Sequence, residues 1–349
     1  MDDLSAALGQ AWPPFALIAG LLLIGLLAHR DGLFAWGGGC LQRLPGGGAA
    51  LLAAALGLVA LVTAVLNLDT AVVFLTPVLV LAARQRRVSA EPFLYGCVFM
   101  ANASSLFLPG SNLTNLLVLE GGHASGSSFA AKMLPLALSA CVVTALGVLL
   151  TFRRRLGEGD GMEASAAPPW PGAGVGVVAT ALATVLVLVL RQPAPEVLAV
   201  GLVATAVELA RRRLRAQQVL EVLGPTSLLA AFVLTVLLGT LARGWSGPAD
   251  LLAGASGAET AAIAALTSVL INNLPAAALY SAHAVGHPRM LLLGLNVGPN
   301  LAVTGALSAL LWYRAARAVG ERPSLLAFSR RGIPLVVAAI AAALLVAAA

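Results

Sequence analysis

Apolar residues in this chain run in long blocks rather than in a two-residue or 3.6-residue alternation. The blocks fall near 13–28, 49–66, 70–83, 93–119, 129–152, 172–190, 195–210, 226–242, 258–283, 289–313 and 329–349. A helix crossing a bilayer needs about 20 apolar residues. In hydrocarbon every backbone polar group must be satisfied internally, so blocks of this length predict membrane-spanning helices. Four polar or Gly/Pro interruptions punctuate the pattern. Asn67-Leu68-Asp69-Thr70 and Ile271-Asn272-Asn273-Leu274-Pro275 predict the tips of two helical hairpins. Pro109-Gly110-Ser111-Asn112 and Asn296-Val297-Gly298-Pro299-Asn300 predict breaks in two helices that otherwise cross. The 49–66 limb is also long enough to cross by itself, and either reading returns the chain to the same side.

The interruptions come twice in one order: a span (13–28 or 226–242), a short turn-rich link, a hairpin with an Asn-containing tip, a broken helix, and a last span (129–152 or 329–349). This predicts a first repeat at 1–152, a linker at 153–171 and a second repeat at 172–349. The linker, RRRLGEGDGMEASAAPPWP, is flexible by composition. Two spans, 172–190 and 195–210, precede the second hairpin unit and have no counterpart in the first half. Met1-Asp2-Asp3 is acidic where a secretory leader is basic, so the first apolar block reads as a retained span.

Composition supports the membrane assignment. Of 349 residues 59% are hydrophobic and only 10% charged, too few to clothe a soluble fold that usually carries roughly 25%. Mean hydropathy is +0.93. The net charge of +6 is not a nucleic-acid signature, because the arginines sit in short clusters between apolar blocks. Lys132, the single lysine, follows Ala131, so the chain has no glycine-lysine phosphate loop. With the N-terminus outside, 17 Arg fall on the cytoplasmic side, against Lys132, Arg191, Arg243 and Arg289 outside. That bias orients the chain in a plasma membrane, with the 153–171 linker cytoplasmic and 120–128 external. The two hairpins then open on opposite sides, so the repeat is inverted. The expected fold is an all-α integral membrane protein: an inverted-repeat secondary transporter with two re-entrant hairpins and two broken helices.

Interrupted helices in corresponding places of two inverted halves mark the binding site of a secondary transporter. Unwound backbone is tolerated at membrane depth only where protein buries it or it lines a cavity. Asp69 is the one acid near the middle of any block, and an Asp there costs about 2.5–3.5 kcal/mol on insertion. It reads as the coupling group for a proton or Na+, or as a cap of the following helix, a role open also to Asn67. Between Asn102 and Asn115, seven of fourteen positions are Ser, Thr or Asn. These belong to the site or to hydrogen bonds between helices; the same choice applies to Asn272, Asn273, Asn300 and Thr304. His123, His283 and His287 read as solvated loop residues, and Cys40, Cys97 and Cys141 as packing residues with neither disulfide nor metal spacing.

The stretches VTAVLNLDTAVVFLTPV, ASSLFLPGSNLTNLLV, SVLINNLPAAAL and NVGPNLAVTGALSALLW resemble the ion transporter superfamily. They are most similar to its arsenite/antimonite efflux permeases and the related citrate- and SLC13-type permeases; its sodium/proton antiporters are more distant. The resemblance runs in order over roughly 13–345 and implies a scaffold domain and a moving transport domain. It places Asn67, Asp69 and Thr70 at the first tip, and Ser111, Asn112 and Asn115 at the first break. Asn272, Asn273 and Pro275 then fall at the second tip, with Gly298, Pro299, Asn300 and Thr304 at the second break. Full-length members carry N-terminal counterparts of the 172–190 and 195–210 spans, so the first half is expected to be short by about two helices. The preferred cargo is arsenite or antimonite, exported as the neutral hydroxide in exchange for protons. A Na+-coupled citrate or dicarboxylate permease, a Na+/H+ antiporter, and a non-transporting membrane subunit derived from a truncated permease stay open. No cofactor or metal is expected beyond the coupling proton or Na+. The expected partners are the bilayer and a small inorganic or carboxylate substrate, with no nucleic acid. A homodimer and a soluble ATPase subunit are compatible with the sequence but marked by no motif.

Overall fold

A computed structural model of the chain describes residues 2–119, 126–157, 170 and 172–348. Among these residues the secondary structure is entirely helical. Six helical stretches among the described residues are long and apolar enough to cross a membrane: Asp3–Arg30, Gly48–Val65, Leu68–Gln85, Gly126–Arg155, Ala216–Gly244 and Leu325–Ala348. The expected linker at 153–171 lies outside the described residues except for 153–157 and 170, as do His123 and most of the 120–128 loop.

The order of elements follows the interruptions. In the first half, α1 (Asp3–Arg30) and α2 (Leu33–Gln42) precede a hairpin of α3 (Gly48–Val65) and α4 (Leu68–Gln85). A broken helix follows: α5 (Glu91–Ser104), a 3-10 turn at Pro109–Ser111, and α6 (Leu113–Leu119). The half ends with α7 (Gly126–Phe152). Then come α8 (Val175–Val189), α9 (Ala194–Ala210) and the short α10 (Ala216–Leu223). The second half repeats the order with α11 (Pro225–Gly244), α12 (Gly247–Ala253) and a hairpin of α13 (Gly257–Ile271) and α14 (Asn273–Ser281). Its broken helix is α15 (Pro288–Val297), 3-10 turns at Gly298–Leu301 and Val303–Gly305, and α16 (Leu307–Ala318), followed by α17 (Leu325–Ala348). The hairpins differ in reach. The 18 residues of α4 span about 27 Å, nearly the hydrocarbon thickness, whereas the nine of α14 span about 14 Å.

Two differences from the sequence reading have local causes. The first block, expected at 13–28, is part of a longer helix beginning at Asp3. Its polar start is held by contacts with other helices: Gln10 Nε2 donates to Leu117 O and Ser281 Oγ, and Gln10 Oε1 accepts from Arg243. The turn-rich links are helices α2 and α12. Three consecutive glycines disfavour α2 by propensity, at about 1 kcal/mol each relative to Ala. Gly38 is what lets it pack, since a Cβ there would overlap Val78 of α4.

The halves interlock. The second limb of each hairpin packs on the far piece of the other half's broken helix, α4 on α16 and α14 on α6, and α7 packs along α17. The extra pair, α8 and α9, packs on α1. There Gly201 meets the backbone of Gly20 with no room for a Cβ, the small-residue contact that brings helices close where lipid supplies no hydrophobic drive. Asp31, just after α1, accepts the Gly176 and Val177 N–H groups at 2.7 and 3.1 Å and so caps the start of α8.

Candidate functional site

Each interruption is built by its own polar residues. At the first tip Asn67 Oδ1 accepts the Thr70 N–H at 2.6 Å, which makes Asn67 the cap of α4. Asp69 follows in the first turn, buried, and among the described residues no hydrogen bond or ion pair holds its carboxylate. At the second tip Asn272 takes φ +74° and ψ 149°, a strained backbone conformation for a residue with a Cβ, of the kind that persists only where its surroundings hold it. Its Oδ1 accepts the Leu274 N–H at 3.3 Å and its Nδ2 donates to Thr304 O at 3.2 Å. At the first break Ser111 Oγ accepts the Leu108 N–H and donates to Ala64 O, each at 3.3 Å, fastening the break to the first hairpin.

A buried amide network joins the two breaks. Asn296 Oδ1 accepts from Ser105 Oγ at 2.5 Å and from Asn112 Nδ2 at 2.6 Å. Asn296 Nδ2 donates to Asn115 Oδ1 at 2.9 Å and to Leu292 O at 2.8 Å. Asn115 Nδ2 in turn donates to the Ser105 and Leu108 carbonyls. Alongside, Asn102 Nδ2 donates to Asn300 Oδ1 at 2.7 Å, Asn300 Nδ2 to Phe99 O at 3.0 Å, and Ser308 Oγ to Asn102 Oδ1 at 3.3 Å. Asn115 thus satisfies two carbonyls of the unwound backbone at the first break, Ser105 O and Leu108 O.

Beside this network lies a cavity of about 250 Å³. Its wall brings together the starts of α4 (Leu68, Asp69), α14 (Asn273 to Pro275) and α16 (Leu307, Ser308), with Asn112 of the first break and Asn272 of the second tip. Phe15 of α1 and the stretch of α11 between Leu228 and Leu234 complete it. Three helix N-termini, each carrying partial positive charge, face one chamber whose single ionisable lining residue is Asp69. A second cavity of about 10 Å³, enough for about one water, lies between Asn67, Asp69, Gly110 and α1.

The expected site residues divide by position. Asp69, Asn112, Asn272 and Asn273 border the large cavity, and Asn67 borders the small one. Asn115 and Asn300 belong to the amide network, and Ser111 is a tether. Thr70 lies against α1, its methyl in the space left by Gly25. Gly298 lies on α13, where Ala265 and Ser268 leave no space for a Cβ. Thr304 is exposed and donates to Val269 O at 2.9 Å, tying the second break to the end of α13. Four residues outside the expected set join the site: Asn102, Ser105, Asn296 and Ser308. The first two stand in the Ser/Thr/Asn-rich run and Asn296 opens the second break, so their positions were visible in the sequence. What they bond to was not.

The comparisons with known proteins point to a family and a fold. A family model described as citrate transporter, CitMHS, matches residues 2–304, a stretch that includes both tips and both breaks. The arsenical pump membrane protein of Yersinia enterocolitica is 29% identical over 159 residues, 44% of this chain and 37% of its own length. The arsenical pump membrane protein of Escherichia coli K12 is 26% identical over 170 residues, 48% and 40% of the two chains. The silicon efflux transporter LSI3 of Oryza sativa subsp. japonica is 28% identical over 158 residues, 45% and 32%. The matched region therefore spans about two fifths or less of the length of these curated relatives. In structure, the Alcanivorax borkumensis YdaH transporter superposes with a TM-score of 0.55 at 15% identity, over 98% of this chain and 86% of that one, which is a likeness of fold. With only helices as regular secondary structure among its described residues, with apolar spans and a family match over most of its sequence, the chain is a multi-pass membrane protein that belongs to the CitMHS citrate transporter family.

Proposed function

We propose that the chain exports arsenite or antimonite, as neutral hydroxides, across the plasma membrane with its N-terminus outside, in exchange for protons carried on Asp69. The observation that carries this reading is the cavity wall: one carboxyl group, amides, a hydroxyl and helix N-termini, with no Lys or Arg among its lining residues. A small neutral hydroxide needs hydrogen-bond partners and no fixed countercharge. Two kinds of relative point the same way, since arsenical pumps and a silicon efflux transporter are named for elements that form such hydroxides in water. A carboxyl group without a protein partner is suited to take up and release a proton as the cavity changes sides, because a salt bridge would hold it ionised throughout.

A second reading, Na+-coupled transport of citrate or a dicarboxylate, is favoured by the three helix N-termini, which attract anions, and by the family model. The two separate in everted membrane vesicles offered arsenite, antimonite or citrate under an imposed pH gradient, with and without Na+. Accumulation of arsenite or antimonite that collapses with the pH gradient supports the first reading. Na+-driven citrate uptake without arsenite accumulation refutes it.

A further inference from the structure

Ser308 stands one residue into α16 and borders the large cavity, almost fully buried. Its role is set by a chain of amides behind it. The chain begins at Phe99 O, a backbone carbonyl that can only accept. Asn300 must therefore turn its Nδ2 toward Phe99, at 3.0 Å, which leaves Asn300 Oδ1 facing Asn102. Asn102 must then turn its Nδ2 toward Asn300, at 2.7 Å, which leaves Asn102 Oδ1 facing Ser308. Ser308 has one proton and gives it to Asn102 Oδ1, at 3.3 Å. A hydroxyl carries one donor and two acceptor lone pairs. With the donor committed, Ser308 offers the cavity only lone pairs. Flipping either amide to release that proton would set two oxygens against each other in the buried core, and an unmet buried acceptor costs about 1–3 kcal/mol.

Asp69, when ionised, is also an acceptor only. Two acceptors lining one cavity select a cargo that brings its own donors. We propose that Ser308 is a specificity-determining residue that accepts a hydrogen bond from a hydroxyl of the cargo, favouring protonated, polyhydroxylated acids over their anions. The inference rests on the hydroxide reading of the cargo, and it assigns recognition to a residue on the second broken helix, apart from the coupling carboxyl of Asp69.

The test is arsenite counterflow exchange in proteoliposomes of the purified full chain, at equal pH on both sides so that no gradient drives uptake. Ser308→Ala is expected to raise the KM for arsenite about two- to ten-fold, the value of one hydrogen bond, with little change in maximal rate. Ser308→Thr, which keeps the hydroxyl, is expected to restore the KM; a purely structural role would not give this split between KM and rate. Raising the pH on both sides until arsenite ionises is expected to raise the wild-type KM as the neutral form disappears, and to do so less steeply in Ser308→Ala. A Ser308→Ala KM equal to wild type, or a fall in maximal rate alone, would overturn the role of Ser308 and leave the cargo reading intact. Citrate exchange by the wild type with no exchange of arsenite or antimonite would overturn both.

Discussion

Replacing Asp69 by Asn separates coupling from capping. In the structure Asn67 caps α4 through its bond to the Thr70 N–H, and Asp69 makes no cap bond. The variant keeps the size of the side chain and fixes it in a neutral form, so the hairpin tip should fold as before. The energetic consequence lies in coupling. One elementary charge moving through 100 mV releases about 2.3 kcal/mol. At about 1.4 kcal/mol per decade that sustains a concentration ratio of roughly fifty-fold. Asp69 is the single ionisable residue lining the cavity, so its loss removes the only side chain there able to carry the proton. In everted vesicles the accumulation ratio of arsenite is expected to fall from that order to about unity. Exchange of arsenite against arsenite at equal pH should persist, since it needs no net proton movement. Undiminished pH-driven accumulation by Asp69→Asn vesicles would refute the assignment and move the search to Na+ held by carbonyls and Asn side chains.

Asn296→Ala strips Asn112 Nδ2 and Asn115 Oδ1 of their bonds to Asn296, and is expected to cost about 2–4 kcal/mol, read as a lower unfolding midpoint in detergent; an unchanged midpoint would show that the network is not what joins the breaks. Gly332→Ala places a Cβ against the Asn300 carbonyl oxygen and should lower stability and expression, whereas Gly9→Ala, which meets open space, should leave both unchanged; equal behaviour of the two variants would contradict the close approach of α17 to the second break. For orientation, a single cysteine at position 160, with the three native cysteines replaced, should react with an impermeant maleimide in everted vesicles and not in intact cells, and labelling of intact cells would invert the proposed topology.

The architecture was legible because the bilayer makes backbone interruptions expensive. An Asn-Leu-Asp-Thr or Gly-Pro-Asn inside an apolar block is costly wherever it stands, so its position alone marks a tip or a break, and two sets in one order reveal the repeat. Composition and blocks of apolar residues likewise settle the helical membrane class without reference to any contact. Helix α2 was hidden for the opposite reason: three glycines argue against a helix locally, and only Val78 on another helix explains why one of them, Gly38, has to lack a side chain. The division of labour among the polar residues was also beyond the sequence. Asn67 and Asp69 stand two positions apart, yet one caps and the other meets the cavity, because the turn points their side chains differently. Asn296 is one amide among many until α5, α6 and α15 converge, and its partners Ser105, Asn112 and Asn115 lie some 180 to 190 residues away in the chain. A hydrogen bond depends on direction and distance in space. Hydrophobic pattern, which acts along the chain, can place a polar residue at a given depth in the membrane, but only the packing of the two halves against each other decides what it will bond.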